Sequence, residues 1–237
     1  MDEENNGQLT FNYEFSFEDG TKKNFAIKLD STSLDYIPIK ISSPPPAWTK
    51  LNYCRCEECP LDENQHEYCP IAVNIIDLFD CFNSIYSYNI VEVVLTTPER
   101  SYFKKTTIQQ SLGSMMGIYM VTSGCPIMEK LKPMVRFHLP FATVEETIFR
   151  AVSIYLVGQY LSLKKGLNPD FELKQLKQFY LNIQNVNWGM AARLRTITEK
   201  DAITNAVVTL DAFAKELPWS IEDQLENIEY LFKAYFV

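Results

Sequence analysis

The sequence predicts an α+β fold in which N-terminal antiparallel β-hairpins carry a Cys/His metal knuckle and a C-terminal helical bundle follows. Three observations predict it: aromatic residues alternate with polar ones over residues 11–17, cysteines crowd residues 54–69, and the apolar period becomes helical from Thr107 onward. The β-rich part is read as residues 1–105 and the helical part as residues 106–237. With 237 residues, 46% hydrophobic and 22% charged, the chain can bury a core without staples.

Phe11, Tyr13, Phe15 and Phe17 alternate with Asn12, Glu14 and Ser16, the period of a strand with one buried face. Asp19-Gly20 then supplies the positive-φ positions of a tight turn, and Phe25, Ile27 and Leu29 restore the alternation. Ser42-Ser43-Pro44-Pro45-Pro46 cannot continue a ladder, because three prolines remove three donors. A short helix is expected over 71–82. Val91, Val93 and Leu95, a turn at Thr97-Pro98-Glu99-Arg100 and the segment Tyr102 to Lys105 form a second hairpin.

Ile108, Leu112, Met115, Met116, Tyr119 and Met120 recur at helical spacing and are closed by Gly124. Thr143-Val144-Glu145-Glu146 is a capping box that opens a helix running to about Lys165, with Gly166 as its stop. Asp170 caps a helix from Phe171 to about Arg195. Thr198 with Asp201, and Ser220 with Asp223, mark two further starts, separated by Pro218. Five of the seven methionines fall between Met115 and Met134, at a spacing that places them in the core.

The opening residues are acidic and polar, unlike a secretory signal, and no apolar run approaches the length of a membrane span. A cytoplasmic protein with no membrane partner is expected, in which six cysteines stay reduced and bind metal, react or pack. The net charge of −8 is concentrated in the first 80 residues, and no Lys/Arg stripe with interleaved aromatics occurs. Nucleic acid is therefore not an expected partner. The chain also lacks a phosphate-cradling glycine loop, a G-x-S-x-G elbow and an H-E-x-x-H pair.

The main candidate for chemistry is Cys56-Glu57-Glu58-Cys59, followed by His66 and Cys69, with Cys54 as an alternative ligand. A C-x2-C turn lets two thiolates converge on one tetrahedral ion, and Cys69 with His66 would complete a structural zinc site. An iron–sulfur cluster on Cys54, Cys56, Cys59 and Cys69 satisfies the same soft-ligand logic, and so do ordinary unliganded thiols. Cys125, in Gly124-Cys125-Pro126, is a second candidate. If Pro126 opens a helix, the Cys125 thiol lies at its N-terminus, with Lys130, Lys132, Arg136 and His138 following. A thiol-dependent enzyme would pair Cys125 with His138. The plainer reading is a buried capping residue.

The order Cys56, Cys59, His66, Cys69 loosely resembles a CCHC zinc knuckle, though His66 falls two places late and the usual internal glycine and aromatic are absent. The segment from Met134 to Thr143, with Thr122 to Pro126 and the Cys-Pro-rich stretch 59–70, resembles a group of uncharacterised bacterial proteins of similar length. That resemblance implies a bacterial source and no activity. The function expected is a non-catalytic protein-binding or regulatory role with a structural zinc, through another protein or self-association. The alternatives are the Cys125–His138 enzyme and a metal or redox sensor using Cys54 to Cys69. Tyr86, Tyr88, Trp188, Trp219, Tyr230, Tyr235 and Phe236 are the aromatic candidates for an interface.

Overall fold

The computed structural model describes residues 7–38 and 44–236, without the side chains of Leu217, Trp219, Ser220, Glu222 and Gln224. The expectations for Ser42-Ser43 and for the Trp219 side chain lie outside the described residues. The chain is α+β: an N-terminal sheet of four antiparallel strands, with two short helices between its second and third strands, is followed by a helical C-terminal part.

Strands β1 (Gln8–Phe17) and β2 (Lys22–Asp30) form the first hairpin, and β3 (Ile90–Thr96) and β4 (Ser101–Thr107) the second. The two hairpins join through β1 and β3 into one sheet of order β2-β1-β3-β4. Period two decides which face is buried. Phe11, Tyr13 and Phe15 of β1 meet Ile27 and Leu29 of β2 and Val91, Val93 and Leu95 of β3 on a single inner face. Outer strand β4 is mostly exposed and carries Lys104 and Lys105, charges that blunt a free edge.

Helices α1 (Pro70–Asn74) and α2 (Ile76–Phe82) divide the single helix expected over 71–82, with Ile75 as the joint. Phe82 at the end of α2 lies against Phe15 and Phe25, with ring centroids 5.3 Å and 5.5 Å away. Helix α3 (Ile108–Val121) is buried nearly all round rather than along one face, because it lies beneath the sheet and against α7 at once. Gly113 and Gly117 face α7, where an added Cβ would be 3.6 Å from the Ala206 carbonyl oxygen or 3.8 Å from Leu210, ordinary contact distances.

After α3, the helix expected at Pro126 is only a turn with a 3-10 segment, Met128–Leu131, leading into α4 (Lys132–Arg136). Helix α5 (Val144–Lys164) opens on the expected capping box: Glu146 N–H donates to Thr143 Oγ1 at 3.1 Å, and Thr143 N–H donates to the Glu146 carboxylate at 2.7 Å. Helix α6 (Lys174–Arg195) starts later than Phe171. Asp170 still serves its first turn, accepting from Gln175 N–H at 2.7 Å.

The last two expected helices are one, α7 (Ala202–Ile228), with Pro218 inside it. Proline removes the N–H that would serve the Ala214 carbonyl four residues earlier. Gln184 of α6 replaces it, donating to that carbonyl at 3.0 Å. Asp201 is the N-cap residue of α7, but its side chain makes no capping bond to the helix backbone. Its carboxylate accepts from Ser87 N–H and Ser87 Oγ, both at 2.8 Å, and ties the loop before β3 to the start of α7. The buried apolar residues of sheet and helices form one continuous core.

Candidate functional site: a thiol cluster and a neighbouring cavity

The cysteine segment is a loop closed at its base by backbone. Leu51 N–H donates to Glu67 at 2.9 Å, Cys69 N–H donates to Thr49 at 2.8 Å, and Arg55 staples the interior through the Cys59 and Leu61 carbonyls and the Glu63 carboxylate. Cys59 N–H donates to the Cys56 carbonyl at 3.1 Å, so the C-x2-C unit is a turn. Gly189 of α6 lets this turn approach: a Cβ there would stand 2.6 Å from Cys56 Sγ and 3.2 Å from Cys56 Cα. No side chain larger than glycine fits at that contact without displacing backbone.

Cys69 is buried and precedes Pro70 at the N-terminus of α1, while Cys125 is buried and precedes Pro126. Burial raises both thiols, and backbone N–H groups partly reverse it, those of Ala72 and Ile71 for Cys69 and those of Met128 and Ile127 for Cys125. Cys56 is pushed up to about 12, first by burial and then by the charges of Cys69, Cys59 and Cys125. Cys125 responds in turn to Cys69 and Cys59. Four thiols from two separate segments, 56–69 and the turn after α3, therefore lie within electrostatic reach of one another. Among the described residues, no three His, Cys, Asp or Glu side chains stand in the arrangement of a metal site.

The expected set is thus regrouped. His66 is exposed on the turn held by Asp62, and the structure shows no zinc knuckle over 56–69. Cys54 is half-buried in the left-handed region, with φ +48, and is not among the charges acting on Cys56, Cys69 or Cys125. Cys125, 56 residues beyond Cys69, joins the cluster only through the tertiary fold.

Arg193 of α6 is buried beside these thiols, and its charge favours the ionised forms of Cys56 and Cys69. It donates to the carbonyls of Trp48 and Lys50, the latter at 2.8 Å, while its Nε has no partner among the described residues. No carboxylate among the described residues pairs with it in an ion pair. A buried cation without a counter-charge is costly, and the thiols are the groups near it that can supply one.

His138 lies elsewhere. Its Nε2 shares hydrogen bonds with Tyr13 Oη at 3.0 Å and Ser114 Oγ at 3.3 Å, and its ring meets Phe11 edge-on. Burial, with Arg150 adding to it, pulls the imidazole down to about 3. Among the described hydrogen bonds none joins His138 to Cys125. Lys132 pairs with Asp35 and Glu129, and Lys130 stands 3.7 Å over the Phe179 ring.

His138 instead borders an open cavity of about 280 Å³ lined by β4, α3, α4, α5, α6 and α7. Its walls are mainly apolar. Asn187 and Arg193 both fall on the buried face of α6 with Ile183, Val186, Met190 and Leu194, a position that helical period alone reveals. What period cannot reveal is that Asn187 lines the cavity and Arg193 the thiols.

No helix among the described residues is long and apolar enough to cross a membrane. No curated protein and no solved structure matches the chain. One family model does, over residues 11–233, which take in the strands, the thiol cluster and the cavity, so the chain belongs to the family described as the domain of unknown function DUF6901.

Proposed function

We propose that the chain is a non-catalytic binding protein stabilised by a structural zinc ion held by Cys56, Cys59, Cys69 and Cys125. The observation that carries this reading is the gathering of these four thiols beside the buried Arg193, which has no carboxylate partner among the described residues and whose Nε is unpaired. Four thiolates around a divalent cation leave an excess of negative charge, which the guanidinium offsets. Burial favours the protonated thiols of Cys56, Cys69 and Cys125 in the metal-free chain; the ion would displace the ligands' protons and draw the sulfurs to about 2.3 Å from itself. Loop 51–67 is the part free to make that adjustment, since its base is fixed and its body is largely exposed.

A binding role fits the surface as well. Tyr86 stacks on Tyr88, and Trp188, Tyr230, Leu231 and Tyr235 are exposed; the 3-10 segment Glu229–Tyr235 buries nothing. Such aromatics provide large contact area with a polar tip, suited to another protein or a second copy.

Elemental analysis of untagged protein purified without chelator should find about one zinc per chain. Cys125→Ser and Cys56→Ser should lose most of it, while His66→Ala should retain it. Absence of metal overturns the reading. Loss in His66→Ala but not in Cys125→Ser restores the Cys56, Cys59, His66, Cys69 set, and iron with visible absorption replaces zinc by a cluster.

A further inference from the structure

The cavity bordered by His138 is a second centre, independent of the thiols. Asn187 is 1% exposed, lines the cavity, and has no partner for either its Nδ2 or its Oδ1 among the described residues. A buried amide with both ends unpaired is destabilising, and a ligand in the cavity would relieve it. Arg150 of α5 lines the same cavity. One terminal nitrogen is spent on the carbonyls of Met134 and Phe137, at 2.9 Å and 2.7 Å, and no described ion pair involves the guanidinium. Burial works against its charge.

The charge of the wall is one-sided. Lys104 and Arg150 border the cavity and no Asp or Glu among the described residues does, although the chain as a whole carries −8. Acidic residues are frequent elsewhere, so their exclusion from this wall marks a site for an anion. The remaining wall carries neutral polar groups such as Gln110, Thr147 and Thr209 but is mainly apolar, with Met128, Val135, Ile183 and Phe213, and suits a hydrocarbon body. A volume of about 280 Å³ corresponds to roughly nine waters of liquid, or a ligand on the order of ten non-hydrogen atoms.

We propose that this cavity binds a small monocarboxylate with an apolar body, its carboxylate shared between the Arg150 guanidinium and the Asn187 Nδ2. Glu146 acts on Arg150 without forming an ion pair among the described residues, and the anion supplies the direct partner, as a charge-assisted pair in largely apolar surroundings. His138 stays neutral and leaves that cation unopposed, while its hydrogen bonds to Tyr13 and Ser114 hold the adjoining wall in place.

The test uses the full chain with sodium octanoate below its micellar range, and octan-1-ol as the uncharged isostere, by calorimetric titration and thermal shift. Octanoate should bind at least tenfold more tightly than octan-1-ol and raise the melting temperature. Arg150→Met should remove that preference and Arg150→Lys keep part of it. Asn187→Leu should weaken octanoate binding while raising the melting temperature of the ligand-free protein, the opposite of what a merely structural asparagine would do. Equal binding of acid and alcohol, no binding of octanoate at millimolar concentration, or a destabilised Asn187→Leu with unchanged octanoate affinity each overturns the proposal. The wild-type comparison of acid with alcohol stands even if an Arg150 variant fails to fold.

Discussion

His138 shows how one buried ring sets a pH dependence. The unfolded chain takes up the imidazole proton near its ordinary value of 6.5, whereas the folded chain refuses it until about 3. Between those values the unfolded state binds more protons, so stability falls as pH falls, by about 1.4 kcal/mol per pH unit from this group. Asp19, Asp30, Asp35, Asp170 and Asp201 are all held below the usual carboxylate range. Their stabilisation is fully present above the unfolded carboxylate value and is lost only below about pH 4. The window from 6.5 down to about 4.5 therefore belongs to His138. Urea unfolding at pH 7 and pH 5 should show the loss in the wild type and a flattened response in His138→Asn; identical slopes would assign the effect to another group. Nothing near His138 in sequence announces this. Tyr13 and Ser114, its partners, lie 125 and 24 residues away. Cys56 and Cys59 were legible as a C-x2-C turn, but the place of Cys125 beside them depends on packing that no local pattern encodes.

Helix α7 marks the limit of reading elements from local signals. Period two exposed three strands, the turn at 97–100 implied the fourth, and the capping box and Gly166 fixed both ends of α5, because those signals act within a few residues. Pro218 was a local stop signal that did not operate. Its cost is met by Gln184 on another helix, 34 residues earlier. Gln184→Ala should therefore leave the Ala214 carbonyl unpaired and cost about 1–2 kcal/mol. In a Pro218→Ala background the restored N–H serves that carbonyl, and the same substitution should cost much less. Chemical denaturation of the two single variants and the double variant gives the coupling, expected at about 1 kcal/mol; additive effects would mean that Gln184 does not support the helix through Pro218. The thiol loop obeys a related rule, since Gly189 admits Cys56 only because α6 lacks a side chain there. A lone glycine inside a helical period is visible in sequence, but the loop that needs it is not.

Sheet and helices share one core, and α3 is the element common to both. Ten of its fourteen residues are buried, between the strands on one side and α7 on the other. Residues 1–105 and 106–237 expressed apart should therefore fail to give cooperative melting, and mixing should restore a folded complex, as circular dichroism with thermal melting would report. A cooperatively folding 106–237 fragment would establish the helical part as an autonomous unit. The chain also makes α3 long before it makes its cover. About eighty residues separate the end of α3 from the start of α7, or roughly 4–16 s of synthesis at ribosomal rates. For that interval Met115, Met116 and Met120 have the sheet to rest on but no α7, and a sticky methionine surface leaves the exit tunnel ahead of its lid. Growing chains of this protein should be clients of a holding chaperone until the last helix arrives.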